Sequence, residues 1–203
     1  MSGDAEMASQ ILDQIRSVFV PSASNPAIDV LVTEISRTAA AAAASSRIFV
    51  HGVGREGLML RALCMRLYHL GLPAHPVGDV TTPPASSGDL LIASAGPGGF
   101  STVDAICRVA RSAGARVVLI TAQPESGSEA RRCADAVAYL PARTMADEEE
   151  DERGSDAPRG VKLPMGSLYE GAMFVLFEML VLKLSDVLGL TPAQLRVRHT
   201  NLE

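Results

Sequence analysis

Three glycines, Gly52, Gly54 and Gly57, stand between a short apolar run, Ile48-Phe49-Val50, and a helix-spaced series, Leu58, Met59, Ala62, Leu63 and Met65. Glycines at such a junction let the backbone turn sharply and leave amide groups at a helix N-terminus aimed at an anion. A second unit repeats the design: Leu90–Ser94 reads as a strand, Ala95-Gly96-Pro97-Gly98-Gly99-Phe100 as a glycine-rich turn, and Ser101 opens a helix. Two such units side by side describe a crevice at the carboxyl ends of parallel strands that suits a small anionic ligand such as a sugar phosphate. Arg55 has two readings, a surface ion pair or a contact to ligand oxygens. Its place inside the glycine turn favours the second.

Gly52-Val53-Gly54-Arg55-Glu56-Gly57 also matches G-x-G-x-x-G, and Asp79 follows the second strand where a ribose-binding acid would sit. Three features oppose a dinucleotide. Glu56 puts a negative charge where pyrophosphate would approach, a second glycine-rich turn follows the third strand, and the chain is short for a dehydrogenase with its own substrate domain.

The elements that position these turns follow in chain order. Ile11, Ile15, Val18 and Phe19 mark an amphipathic helix that Pro21 ends. Asn25-Pro26 reads as an N-cap and first helical residue, with Ile28, Leu31 and Ile35 as the apolar stripe and Ala39–Ala44 as a smooth continuation. After the first glycine turn, a helix over 58–70 ends at Gly71, and Pro73–Val77 is a second strand. The third strand precedes a helix over 101–113, Arg116–Thr121 is a fourth strand, a short helix covers 126–133, and Ala136–Leu140 is the fifth strand. Strands alternating with helices predict an α/β fold with a parallel sheet covered on both faces. A last long helix, Ser167–Leu188, is apolar on nearly every side, which makes it central or buried at a subunit interface. Thr191-Pro192 caps a final short helix.

With 203 residues, 47% of them hydrophobic and 20% charged, the chain predicts one soluble globular domain over 1–203. Its parts are N-terminal helices (1–46), a parallel α/β core (47–140), an acidic flexible loop (144–162) and C-terminal helices (166–203). Most of the net charge of -5 lies between Asp147 and Asp156; the remainder holds 17 basic and 16 acidic residues, so no basic stripe is offered to nucleic acid. The acidic run reads as a solvated segment rather than a metal site. Cys64, Cys107 and Cys133 are too few and scattered for a disulfide framework or metal knuckle and read as small buried hydrophobes. Asp4 and Glu6 are wrong for a secretory signal, and the run Met173–Leu182 is too short to span a bilayer. A cytoplasmic protein with no membrane partner is expected.

Taken in order, HGVGREG, MRLYHLG, VGDVTTP, the turn before Ser101-Thr102-Val103, LPMGSLYE and RHTNLE resemble the 6-phospho-3-hexuloisomerases, which are sugar isomerase (SIS) domain proteins. The resemblance covers roughly residues 28–203. It implies a three-layer αβα sandwich with a five-stranded parallel sheet, a homotetramer with active sites at subunit interfaces, and a phosphorylated sugar as ligand. The implied reaction interconverts 3-hexulose 6-phosphate and fructose 6-phosphate through an enediol, with no cofactor and no metal. A carboxylate or imidazole carries the proton in such chemistry. The resemblance assigns Glu170 as the base and His199 as a residue reaching a neighbouring subunit's site, to open the sugar ring or shuttle protons. A charge favoured by a helix dipole and an exposed histidine in a tail are the bland alternatives. His51, His69 and His75 read as structural. The expected substrate-binding set is Gly52, Gly54, Arg55, Glu56, Thr82, Ser94, Gly96, Gly98, Ser101 and Thr102.

The chain departs from that family at the second turn. Where the family has S-G-S-G-E-T, Ala95 to Phe100 supply no hydroxyl, and the serine of GxGRSG is Glu56. A hydrogen bond to a charged phosphate contributes about 1.5–3 kcal/mol. Weaker phosphate binding is therefore expected, with partial recovery on Ala95→Ser plus Pro97→Ser, and a non-catalytic sugar-phosphate binder is the alternative function. Phe100 is expected to cover a ligand's apolar face or to fill part of the phosphate pocket.

Overall fold

Five strands, β1 (Ile48–His51), β2 (Ala74–Pro76), β3 (Leu90–Ser94), β4 (Arg116–Thr121) and β5 (Ala136–Tyr139), form one sheet in the order β2-β1-β3-β4-β5. Every neighbouring pair is parallel, with Val50 opposite both Pro76 and Ile92, and Ile92 opposite Val118. The computed structural model describes residues 2–20, 27–40, 46–147 and 163–201. Seven α-helices are described: α1 (Ser2–Ser17), α2 (Ala27–Ala40), α3 (Gly54–His69), α4 (Ser101–Ser112), α5 (Glu129–Cys133), α6 (Ser167–Val187) and α7 (Pro192–Val197).

Alternate strand residues face opposite ways, and the two sets build two cores. Ile48, Val50, Leu90, Ile92, Val118 and Ile120 pack with Leu31 and Ile35 of α2, Leu60 and Leu63 of α3, and Leu176 and Leu180 of α6. Phe49, Leu91, Ala93, Val117 and Leu119 pack with Val103 and Cys107 of α4 and Ala130 of α5. The result is the expected three-layer αβα sandwich. All three cysteines are free and buried, as expected for small core hydrophobes. No helix among the described residues is long and apolar enough to cross a membrane.

Some boundaries move for local reasons. The helix expected from Leu58 starts at Gly54, so the glycine turn forms its first helical turn. The helix expected from Ser126 starts at Glu129, because Ser128 is its N-cap and Ser126 instead donates to the Gly98 carbonyl at 2.9 Å. Within the expected acidic loop, Met145–Asp147 forms a 3-10 turn in which Asp147 accepts from the Thr144 amide at 2.6 Å. The rest of that loop, the Asn25-Pro26 cap and the alanines beyond Ala40 lie outside the described residues. Thr191 and Gln194 form a reciprocal capping box at α7.

α6 crosses the sheet on the α2–α3 side. Tyr169, Ala172, Met173, Leu176, Phe177, Leu180 and Leu184 are buried, while Phe174, Leu182 and Val187 remain exposed. The apolar girth read from the sequence is thus half satisfied within one chain.

Candidate active site

The strand order places β1 and β3 side by side with their chains departing in opposite directions, β1 toward β2 and β3 toward β4. At such a switch point the carboxyl ends of the strands open into a crevice. Both glycine turns lie there, and close packing fixes their shape. A Cβ on Gly57 would lie 2.5 Å from the Gly52 carbonyl oxygen, and one on Gly96 would lie 2.9 Å from the Tyr169 ring. Gly54 adopts a φ of 56°, a left-handed conformation that starts α3.

Glu56, in the first turn of α3, leans across the crevice and is only 6% exposed. Its carboxylate accepts from the Ser94 hydroxyl at 2.5 Å and from the Gly96 amide at 3.1 and 3.2 Å. The Tyr169 hydroxyl lies 3.2 Å from Ser94 Oγ. Ser94 spends its one proton on Glu56, so Tyr169 is the donor, and a chain runs Tyr169 to Ser94 to Glu56. Burial raises the Glu56 carboxyl pKa against the lowering effect of those hydrogen bonds, and the nearby Glu170 charge raises it further. Burial also holds the Tyr169 hydroxyl well above its ordinary pKa.

Arg55, one residue earlier, points to the other side of the opening. Its guanidinium donates to the Met165 carbonyl at 2.5 Å and to Ser167 Oγ at 3.2 Å, and it stands 2.8 Å from Glu170 Oε2. Met165 and Gly166 both have positive φ, 52° and 77°, just before α6. A left-handed methionine is uncommon, and the turn it makes aims its carbonyl at Arg55. Burial raises the Glu170 carboxyl pKa, and the Arg55 charge and hydrogen bond pull it back. The site therefore pairs a partly buried carboxylate tied to Arg55 with a buried one tied to Ser94 and Gly96.

The structure brings Gly52, Gly54, Arg55, Glu56, Ser94, Gly96 and Glu170 together. It adds Tyr169, which sequence reading passed over although it adjoins Glu170; an aromatic residue inside an apolar helix gave no sign that its hydroxyl would meet Ser94. Ser101 and Thr102 are exposed at the start of α4, beyond the turn from Gly96. Thr82 donates to the Pro76 carbonyl at 2.8 Å and so closes its own loop. Gly98 serves packing, since a Cβ there would lie 2.5 Å from Ser126 Cβ. His51, at the end of β1, has a buried Nε2 with no hydrogen-bond partner among the described residues, and burial lowers its pKa.

One expectation about the second turn is corrected. Ala95 is fully buried among Phe49, Leu91, Ala93 and Val103, so its side chain belongs to the second core and not to the crevice. Phe100 is partly buried and packs against the same core. The placement of Ala95 follows from the strand alternation, which carries one residue past Ser94.

His199 lies at the other end of α3. Its ring stacks on His69 at 5.2 Å, and the neighbouring Arg198 donates to the His69 carbonyl at 3.1 Å. With a rise of about 1.5 Å per residue, Glu56 and His69 are roughly 20 Å apart along the helix. Within one chain His199 and Glu170 therefore belong to different places. Among the described residues no three His, Cys, Asp or Glu side chains form a group suited to a metal ion.

A five-stranded parallel sheet in this order, with glycine turns at its switch point, is the frame shared with sugar isomerase domains, and the relatives give the family. A 3-hexulose-6-phosphate isomerase of Mycobacterium gastri is 41% identical over 157 residues, which span 77% of this chain and 74% of that protein. A Bacillus subtilis protein of the same name is 33% identical over 159 residues, 78% of this chain and 81% of that one. The chain belongs to the 3-hexulose-6-phosphate isomerase family. A solved Methanococcus jannaschii structure, taken to infer that same molecular function, superposes with a TM-score of 0.73 over 100% of both chains at 23% identity, which shows a common fold. No family model matches the sequence.

Proposed function

We propose that this chain interconverts 3-hexulose 6-phosphate and fructose 6-phosphate through an enediol. The observation that carries the reading is the Arg55–Glu170 pair, 2.8 Å apart at the mouth of the crevice. Glu170 is partly buried, so its pKa is raised toward the range of a working base, and the Arg55 charge favours its ionised form. In the forward direction the Glu170 carboxylate takes the proton from C2 of the 3-ketose. The C–H electrons form the C2–C3 double bond, and the carbonyl oxygen at C3 becomes the enediol oxygen. Return of the proton to C3, with loss of the O2 proton, leaves the carbonyl at C2. Arg55 is positioned to offset charge on the enediolate oxygens.

His199 acts in this reading from a neighbouring subunit, opening the ring or carrying the proton between oxygens. Its distance from Glu170 within one chain supports that role, and a homotetramer supplies the neighbour. The exposed Phe174, Leu182 and Val187 of α6, with Leu58, Met65 and Tyr68 of α3, support such an assembly.

Proton NMR of fructose 6-phosphate in heavy water tests the reaction. Exchange at C3 that Glu170→Gln reduces by about a hundredfold or more is the expected result. Exchange confined to C1 would indicate an aldose–ketose isomerase instead. The second reading, a sugar-phosphate binder without catalysis, is favoured by the engaged Glu56 carboxylate, and saturable binding with no exchange at any carbon would establish it.

A further inference from the structure

Gly96 N–H and Ser94 O–H converge at the carboxyl end of β3, beside the first turn of α3. Two donors meeting at one position form a seat for an anion. The seat is filled from within. Glu56 occupies the third position of α3, where the helix dipole favours an acid, and both its oxygens are taken up by these donors.

We infer that Glu56 is a specificity-determining residue whose carboxylate holds the anion seat of the β3 turn, so that a substrate phosphate gains the Gly96 amide and the Ser94 hydroxyl only by displacing it. The inference builds on the phosphorylated sugar named above. It also gives a different cause for the weaker phosphate binding that the sequence leads one to expect. The side chain of residue 95 faces the apolar core, so a missing hydroxyl there is not what the ligand lacks; a negative charge already lies on the remaining donors.

The charges around the seat oppose an incoming anion. Tyr169 and Ser94 supply hydroxyls, Met173 lies with its sulfur 3.7 Å from Ser94 Oγ, and Glu170 adds a second negative charge from α6. Among the described residues of the cluster, the cation Arg55 is directed at Glu170, Ser167 and Met165. A dianion arriving at the seat meets two carboxylates before it meets the amide. Protonation of Glu56 removes the nearer one, so an anion binds better as pH falls.

Calorimetry with inorganic phosphate, and with sulfate as a dianion that does not titrate, tests this on the full chain. Glu56→Ala is expected to bind phosphate about tenfold to a hundredfold more tightly than the unaltered chain, the range of one or two charge-assisted hydrogen bonds. In the unaltered chain sulfate binding tightens from pH 8 to pH 5.5, and Glu56→Gln flattens that dependence while keeping the side chain's shape. Ala95→Ser with Pro97→Ser leaves phosphate binding unchanged. Equal phosphate affinity in Glu56→Ala and the unaltered chain, or tightening by the loop pair instead, overturns the inference. Should Glu56→Ala fail to fold, the sulfate profile of Glu56→Gln decides: a slope equal to that of the unaltered chain refutes it. Because inorganic anions read the seat and fructose 6-phosphate exchange reads the reaction, either result can fail without the other.

Discussion

Arg55 and Glu170 join the first turn of α3 to the first turn of α6, with Arg55 Nη2 2.8 Å from Glu170 Oε2. Both residues sit on regular helices, and the left-handed Met165-Gly166 turn brings those helices to the same opening. The pair therefore inherits the rigidity of the core packing beneath it.

Arg55 lowers the Glu170 pKa, so its removal sends that pKa up. A base works only when deprotonated, so Arg55→Gln is expected to move the acidic limb of the exchange rate to higher pH and to lower its plateau. Arg55→Lys restores the charge but not the planar fork, and returns the limb further than the plateau. A pH–rate profile of C3 exchange for the three forms checks this; an unmoved limb in Arg55→Gln removes Glu170 as its origin.

Gly57→Ala pushes a Cβ to 2.5 Å from the Gly52 carbonyl, and Gly96→Ala pushes one to 2.9 Å from the Tyr169 ring. Overpacking of this kind costs about 1–3 kcal/mol, and backbone yields less than a side chain, so Gly57→Ala is expected at the upper end. Each kcal/mol lowers Tm by roughly 2–4 °C at this chain length. Gly189→Ala, at φ 63° with nothing nearby, is expected to cost only about 1 kcal/mol. Thermal melts rank the three.

Burial raises the Glu56 pKa, so the folded state holds that proton more tightly than the unfolded chain does. The stability this contributes is present below the ordinary glutamate pKa and is lost as pH rises through the raised one. Glu56→Gln removes that loss. Its Tm is expected to gain on the unaltered chain as pH rises above the ordinary glutamate pKa and to level off once the folded-state carboxyl is ionised, and a constant difference across that range would show that Glu56 does not titrate there.

Sites shared between subunits make a distinctive prediction. Glu170→Gln and His199→Ala are each expected to lose C3 exchange by about a hundredfold or more. Co-refolded mixtures of the two inactive proteins then recover a measurable fraction of activity, since some sites combine an intact Glu170 with a neighbour's intact His199. No recovery in mixed oligomers verified by mass spectrometry rules out His199 acting across the interface.

The sequence by itself determined the alternation of strands and helices, the two glycine turns and the capping of α7. Those features rest on local causes: apolar periodicity, the freedom of Gly54 and Gly71 at positive φ, and the Thr191–Gln194 exchange of hydrogen bonds. It also marked Arg55 as a residue of the first glycine turn, and the tertiary structure pairs it with Glu170. Which way the side chains at the turns point was a different matter. Glu56 reads as an obstacle to an anion, but only the approach of β3 to α3 hands it Ser94 and Gly96 as donors. Ala95 and Phe100 read as a stripped loop, yet the alternation of β3 carries Ala95 into the second core and Phe100 packs on it. Tyr169 gained its role from a hydroxyl 75 positions away in the chain. His199 and Glu170 share the C-terminal segment, and the length of α3 keeps them apart. Local chemistry chooses the elements; contacts between residues distant in sequence choose their partners, and no periodicity records those.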